Sequence, residues 1–189
     1  MTSNRFIKLT TVAITVFLIF SCASESDTSN VESTSLTILD RHERINSTEQ
    51  RLMNIINTNP NSADYLPTTR RLIEEYRQFA HYFPNDDQAA EMLFRAANLQ
   101  ADATQDYVVA IGTFNRIIRE YPETDQARRS LFLIGYTYSE HLEDYENAQK
   151  VYEEFLEKYP DDELAAAVES ELLFMGKSLD EIMNELGIE

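Results

Sequence analysis

Residues able to carry acid-base, metal or nucleophilic chemistry are few in this 189-residue chain and lie far apart. The three histidines, His42, His81 and His141, lack the His-x-x-x-His spacing that places two ligands on one metal ion. Adjacent acids such as Asp86 and Asp87 lie near expected helix ends, where carboxylates usually cap helices and complement their dipoles. No Gly-x-Ser-x-Gly motif and no glycine-rich phosphate loop occurs in the sequence. We therefore predict no catalytic centre, no metal site and no cofactor.

The one residue placed for covalent chemistry is Cys22, the only cysteine. Two basic residues precede an apolar run from Leu9 to Phe20, which is shorter than the roughly 20 residues that span a bilayer and has the proportions of a signal peptide. With Ser21 before Cys22, this segment resembles a bacterial lipoprotein signal. The resemblance implies a signal peptide over residues 1–21 and a membrane anchor through lipid, including palmitate, on Cys22. The alternative is an ordinary secreted protein with a stray thiol.

The segment that begins at Cys22 contains little that a fold could bury. Residues 22–35 are rich in Ser, Thr, Asp and Asn, so we expect a disordered tether that lifts the folded part from the membrane. By analogy with enteric lipoproteins, the absence of Asp at residue 23 favours delivery to the outer membrane. The acidic run from Ser24 to Asp27 also resembles the surface-export signals of Bacteroidetes lipoproteins. A periplasmic and a surface-facing location both stay open.

The charge balance limits the classes of partner. The chain has 33 Asp and Glu against 16 Lys and Arg, a formal net charge of −17. Nucleic acid and anionic membrane surfaces would be repelled by this charge. A basic face on a protein partner is favoured, although a solvated repeat surface kept soluble by its charge is the alternative. We expect no nucleic-acid partner and no small-molecule substrate.

The elements that position any functional residue come from an internal repeat of 38 residues. Shifting the chain by this length aligns Pro84, Pro122 and Pro160 without a gap, and it aligns apolar positions along the whole unit. The aligned sets are Phe83, Tyr121 and Tyr159; Ala89, Ala127 and Ala165; Phe94 and Phe132; Ala110 and Ala148; Phe114 and Tyr152; and Ile118 and Leu156. Within each unit the apolar residues fall at helical spacing in two runs separated by an acidic turn, which predicts stacked helix pairs.

This repeat resembles the tetratricopeptide (TPR) family, which carries Leu-Gly-x-x-Tyr on a first helix and Ala-x-x-x-Phe with a closing Pro on a second. The matching residues are Ile134, Gly135, Tyr138, Ala148, Tyr152 and Pro160. Leu131 replaces the usual Trp, and the period exceeds the family's 34 residues through additions in loops. The resemblance implies an all-α, right-handed α-solenoid of antiparallel helix pairs. It also implies that Tyr76, Phe114 and Tyr152 share one buried position on the second helices.

We predict that helical repeats occupy residues 36–176. The units are 67–83 as the second helix of a degenerate first repeat, 84–121, 122–159, and a partial repeat at 160–176. The helix expected before the first of these is open to interruption at residues 46–48. Ser178 and Glu181 form a capping-box pattern. Residues 177–189 are therefore expected to form a C-terminal capping segment that closes the apolar end of the solenoid.

In proteins of the TPR family the first helices line a concave groove. By residue-by-residue matching, the groove positions are Glu91, Phe94, Asn98, Ala101 and Asp102 in one repeat and Arg129, Phe132, Tyr136, Ser139 and Glu140 in the next. The two phenylalanines would suit an extended or helical peptide, because rings give contact area while Asn98 and Arg129 can hold its backbone or carboxylates. The alternative is that both rings pack within the array.

Together these features predict a lipid-anchored TPR scaffold of a bacterial envelope that mediates protein–protein interactions through its groove. The Tyr-Pro-x-x-x-x-Ala junctions resemble those of the TPR lipoprotein of the outer-membrane Bam machinery and of the periplasmic coordinator associated with the Tol-Pal system. We therefore expect a role in outer-membrane protein assembly or envelope maintenance. The alternatives are a structural protein that forms oligomers through an exposed apolar repeat end, and an enzyme such as a peptidoglycan hydrolase.

Overall fold

The computed structural model describes the backbone of residues 26–187 and the side chains of residues 37–187 other than 179 and 186. Cys22 and the predicted signal peptide lie outside the described residues. This part of the chain is helical and contains no strand. Its helices are α1 (Ser26–Thr58), α2 (Tyr65–Tyr82), α3 (Ala89–Asp102), α4 (Tyr107–Glu120), α5 (Asp125–Tyr136), α6 (Tyr145–Lys158), α7 (Ala165–Phe174) and α8 (Leu179–Leu186). A π-helical turn, Thr137–His141, follows α5 directly.

The helices stack in chain order, which confirms the predicted solenoid. From α1 to α6 each helix packs against the next along the chain, α6 also packs against α7, and short connections reverse the chain between them. The buried side chains form three clusters, contributed mainly by α1 to α3, by α3 to α5 and by α5 to α7. Because each cluster shares a helix with the next, the core runs continuously along the array.

The 38-residue period recurs in the backbone at the end of each second helix. The residues that end α2, α4 and α6 are Phe83, Tyr121 and Tyr159, with φ of −127°, −135° and −134° and ψ of 59°, 51° and 55°. Each of their amides donates to the carbonyl four residues earlier. A proline follows each one, and it stops the helix because it lacks an N–H and disfavours helical geometry in the residue before it. The three helix ends therefore have the same geometry for the same chemical reason.

The turns within the two complete repeats also match. Gln105 and Glu143 both have positive φ, 55° and 52°, which costs a residue with a side chain about 1–2 kcal/mol. In each turn the next amide donates to a carbonyl six residues earlier, from Asp106 to Gln100 at 2.8 Å and from Asp144 to Tyr138 at 2.9 Å. These closing hydrogen bonds offset the strain and hold the extra residue of the turn.

Large rings and small residues alternate where the helices cross. Tyr76, Phe114 and Tyr152 are all buried, as the resemblance implied, and each contributes about 1.5–3 kcal/mol through burial. The contact between α5 and α6 depends on Gly135. A Cβ added there would lie 2.5 Å from Cε1 of Tyr152, so only glycine allows the ring to lie against the α5 backbone.

Helix α1 is longer than the sequence predicts. Residues 26–35 belong to it in the structure, although they fall within the predicted disordered tether. Each residue added to an existing helix gains a backbone hydrogen bond, so a polar segment can extend a helix that is already packed. The interruption considered at residues 46–48 does not occur. Ile45 and Thr48 are buried there against the repeats, which holds this segment helical.

The C-terminal end has the predicted capping box. The Ser178 side chain accepts from the Glu181 amide, and the Glu181 carboxylate accepts from the Ser178 amide at 2.7 Å. Gly176 and Gly187, with φ of 73° and 68°, take the left-handed conformation after α7 and α8. Glycine adopts this conformation at little cost, which explains where both helices end.

Candidate functional site

We call the first helices of the pairs, α1, α3, α5 and α7, the inner row of the array, after the concave side that the resemblance implies. Helix α3 packs directly on α5 as well as on its neighbours along the chain. Two depressions lie along it. We call the depression between α1, α2 and α3 the N-terminal groove, and the depression between the π-helical turn, α7 and α8 the C-terminal pocket.

The N-terminal groove is mainly apolar and has a volume of about 450 Å³. It is lined by Glu49, Leu52, Met53, Ile56, Leu72, Tyr76, Arg95, Asn98 and Leu99. Leu52 and Leu72 are buried in its floor, whereas Met53 and Ile56 are 58% and 43% exposed. Two large apolar side chains exposed one helical turn apart are a feature of interaction surfaces.

A chain of hydrogen bonds borders this groove and connects three helices with the start of α5. The Tyr76 hydroxyl and Arg95 Nη1 both donate to Glu49 Oε1, the latter at 3.1 Å. Arg95 Nε donates to Glu91 Oε1 at 2.8 Å, and Gln126 Nε2 donates to Glu91 Oε2 at 3.0 Å. Arg95 thus forms ion pairs with both Glu49 and Glu91, so these three charged side chains are held within the protein.

The pKa values of this border agree with its geometry. Burial, together with the hydrogen bond to Glu49, raises the pKa of Tyr76. Burial acts to raise the pKa of Glu91, but the hydrogen bonds from Arg95 and Gln126 outweigh it and lower the pKa. The Asn98 side chain takes no part in these bonds and has no hydrogen-bond partner among the described residues. Its amide is available to a ligand.

Phe94 does not present its ring to the groove. It is buried, and its ring packs edge-to-face on Phe114 with centroids 5.8 Å apart. The Arg129 guanidinium lies 4.5 Å from the Phe94 ring centroid and covers the remaining face by a cation–π contact. This corrects the expectation that Phe94 contacts a partner and supports the alternative that the ring packs within the array.

Phe132 packs within the array and also stays partly accessible to a partner, so it fits both alternatives that the sequence left open. Its ring lies 6.2 Å from that of Tyr152 and 6.4 Å from that of Phe155, both buried, but Phe132 itself is only half-buried. Tyr136 stacks on it at 6.5 Å and is 37% exposed. Ser139, also predicted to face a partner, is buried, and its hydroxyl donates to Glu140 at 3.3 Å.

The C-terminal pocket is polar and has a volume of about 650 Å³. It is lined by Ser139, Glu140, Glu143, Tyr145, Ser170, Glu171, Phe174, Met175, Gly176, Lys177, Ser178 and Ile182. Burial and the nearby charge of Glu140 raise the pKa of Glu171. Lys177 is held by Glu185 at 2.8 Å, so its charge does not compensate these carboxylates.

A family model for the tetratricopeptide repeat matches residues 91–124 and 129–162. These two segments are tetratricopeptide repeats. The matched segments begin 38 residues apart, at Glu91 in α3 and at Arg129 in α5, which is the period found in the sequence and in the helix ends. No curated protein matches the chain. TPR repeats are generally non-catalytic scaffolds that bind protein partners, so the inner row is the candidate partner-binding surface.

Several residues of the TPR inner row were not predicted from the sequence. The 38-residue shift aligns Met53 with Glu91 and Ile56 with Phe94, so it marks their positions, but the alignment does not say which apolar side chains α2 and α3 cover. Glu171 lies in the partial repeat, which was given no groove positions. The repeat alignment identifies equivalent positions, but exposure at the two ends of the array depends on the packing of the neighbouring helices.

The remaining candidates for chemistry lie apart from one another. His141 stacks on Tyr107 with centroids 4.4 Å apart, while His42 lies near Gln88 and His81 against Tyr82. Within the residues that the structure describes, no group of three or more His, Cys, Asp or Glu side chains is placed to hold a metal ion. In the same residues, no helix combines the length and apolar character needed to cross a membrane.

Proposed function

We propose that this TPR protein is a lipid-anchored scaffold of a bacterial envelope that holds a segment of a partner protein along its inner row. The observation that carries the proposal is the N-terminal groove, where exposed Met53 and Ile56 lie beside the unpartnered amide of Asn98. The apolar pair offers contact area. The amide can both donate to and accept from a peptide backbone, which is a common way to bind an extended segment.

The anchor is proposed to be lipid on Cys22, supported by the apolar run that ends just before it. We expect Cys22→Ser to stop the incorporation of labelled palmitate and to release the protein from membranes. Unchanged membrane retention of this variant would refute the anchor. The proposed location is the outer membrane, facing the periplasm or the cell surface, with a role in outer-membrane protein assembly or envelope maintenance. A coordinator associated with the Tol-Pal system is the alternative within this class.

Site-specific photo-crosslinking in cells tests the groove directly. A photoreactive residue at Asn98 is expected to trap a discrete partner band that mass spectrometry identifies. The matched control places the same residue at Arg119 on α4 in the outer row, where the side chain is 69% exposed. Equal trapping from both positions, or none from Asn98, would contradict the proposed binding surface.

A second function, self-association, is favoured by one specific observation. Val108 and Val109 at the start of α4 are 73% and 51% exposed, on the outer row and away from the proposed groove. Light scattering after size exclusion distinguishes the two functions. A dimer that Val108→Lys converts to a monomer would favour an oligomer-forming protein, whereas a concentration-independent monomer favours the scaffold.

A further inference from the structure

Four aromatic rings form a continuous row of contacts that begins in α5 and ends in α4. Phe132 stacks on Tyr136 with centroids 6.5 Å apart, and the Tyr136 ring meets the His141 ring at 5.7 Å and 84°. His141 in turn stacks on Tyr107 at 4.4 Å, with the two ring planes 9° apart. We call these four residues the aromatic ladder. It runs from the inner row, at Phe132 and Tyr136, to the start of α4.

The ladder lies at the surface of the array. Tyr136 is 37% exposed, His141 is exposed, and Phe132 and Tyr107 are partly buried. Aromatic residues are enriched at surfaces that bind other proteins. Because these rings already hold one another in place, they supply contact area to a partner with little further loss of side-chain freedom.

The preceding repeat has no such row, so the stacking of helix pairs does not require it. A shift of 38 residues aligns Tyr136 with Asn98. It also aligns His141 with Ala103, so neither ring has a counterpart there. His141 ends the π-helical turn that follows α5, whereas residues 99–103 end α3 without a π-helical segment. Single π-helical turns are frequent at functional sites.

The polar atoms of the ladder are available to a ligand. The hydroxyls of Tyr107 and Tyr136 and the ring nitrogens of His141 have no hydrogen-bond partner among the described residues. A hydroxyl and a neutral imidazole can each donate one hydrogen bond. A polyproline II segment suits these donors, because its backbone carbonyls have no internal partner and its prolines have no N–H to satisfy. Proline-rich segments are commonly bound in grooves lined by aromatic rings.

The charge around the ladder favours a basic segment. Four exposed carboxylates lie in the stretches of chain that carry the rings, and none of them forms an ion pair with a described residue. These residues are Asp102, Asp106, Glu140 and Glu143. Lys and Arg are absent from residues 99–115 and 130–149. The resulting field attracts a cationic segment and repels an anionic one.

We propose that the aromatic ladder binds a proline-rich, basic stretch of the partner segment held on the inner row. This rests on the proposed scaffold function and adds the partner's chemistry. Proline rings pack on the aromatic rings, the tyrosine hydroxyls donate to carbonyls of the bound backbone, and flanking Lys or Arg side chains lie near Asp106 and Glu140. Proline fixes φ before binding, so the segment loses little backbone entropy when it docks.

Nuclear magnetic resonance titration of the ¹⁵N-labelled full chain tests the ladder with three peptides. The probe is acetyl-Arg-Pro-Pro-Pro-Pro-Pro-Arg-amide, which is expected to shift the amide signals of residues 103–108 and 132–143. A peptide with Glu in place of both Arg residues keeps the prolines and should bind roughly tenfold more weakly, because like charges across an interface are costly. Acetyl-Arg-Ala-Ser-Ala-Ser-Ala-Arg-amide keeps the charges without proline and should also bind more weakly.

Variants of the ladder test the contribution of its rings. Tyr136→Ala should weaken binding of the proline probe roughly fivefold, within the range for the loss of one aromatic contact. The matched control is Tyr82→Ala, which removes a tyrosine of α2 that is 58% exposed and lies outside the ladder, and it should leave binding unchanged. His141→Phe keeps a ring in the ladder and should weaken binding less than His141→Ala does.

Equal binding of the proline probe and the alanine–serine peptide, or equal effects of the Tyr136 and Tyr82 variants, would overturn the proline-rich assignment. Binding of chitotetraose, a neutral oligosaccharide, at the same amide signals in place of the proline probe would overturn it as well. If the ladder fails these tests while a photoreactive residue at Asn98 still traps a partner, the scaffold function stands and only the proposed chemistry of the partner is lost.

Discussion

Replacing Gly135 with alanine is expected to reveal how closely α5 and α6 approach. The new Cβ would lie 2.5 Å from Cε1 and 2.6 Å from Cδ1 of Tyr152. Carbon atoms in contact prefer about 3.5–4.0 Å, so the ring would have to retreat by roughly 1 Å. Tyr152 has no room for this because it is fully buried. Overpacking of this kind costs about 1–3 kcal/mol.

The control is Gly112→Ala on α4, where an added Cβ meets nothing within 4 Å. Both substitutions remove a glycine from a helix interior, which by itself stabilises a helix by about 1 kcal/mol. The control should therefore gain about 1 kcal/mol, while Gly135→Ala should lie about 1–3 kcal/mol below it in free energy of unfolding. The difference between the two variants isolates the steric term.

Urea unfolding of the purified full chain measures both variants, provided the slope of free energy against urea is unchanged. A further variant, Tyr152→Leu in the Gly135→Ala background, removes the ring that the Cβ meets. The double variant should then lose less free energy of unfolding than the two single substitutions lose in sum. If Gly135→Ala were stabilised as much as Gly112→Ala, the close approach of α5 and α6 would be refuted.

Three further outcomes are expected. Phe132→Ala should lower the free energy of unfolding by about 2–3 kcal/mol, less than the loss of a fully buried ring would, and should weaken partner capture. A variant with unchanged stability and unchanged capture would show that Phe132 contributes to neither the core nor the groove. Ser178→Ala should destabilise α8 by about 1 kcal/mol, seen as faster amide hydrogen exchange confined to the C-terminal segment. Since the pKa of Glu171 is raised in the fold, its ionised form destabilises the protein above that pKa, and the effect vanishes below its ordinary pKa. Glu171→Gln should therefore stabilise the protein at pH 7, by no more than about 1 kcal/mol, and leave it unchanged near pH 3, as thermal unfolding at both pH values would show.

The features that the sequence predicts well are those in which one local pattern decides the outcome. Aromatic residues followed by proline at 38-residue intervals give three helix ends with one geometry. The ring position of Phe114 and Tyr152 is buried in both repeats, as the alignment predicts. The capping box at Ser178 needs only four consecutive residues, and it forms as the pattern indicates.

The features that the sequence does not predict depend on side chains from different helices. Arg129 comes from α5 to cover a ring on α3, and nothing in the spacing of Phe94 indicates this contact. Met53 and Ile56 are exposed because α2 and α3 bury other residues of α1, which only the packing decides. The π-helical turn that carries Glu140 has no counterpart in the preceding repeat, so the internal comparison could not reveal it.

The overlap of the three buried clusters has a consequence for any ligand long enough to reach both depressions. The groove is built on the first cluster and the pocket on the third, and the middle cluster holds them at a set separation. That separation is counted in helix pairs, so inserting one more 38-residue unit between α4 and α5 would lengthen it by about 10 Å while leaving both ends chemically intact. The number of repeats thus determines how far apart the two contacts of a bound segment must be.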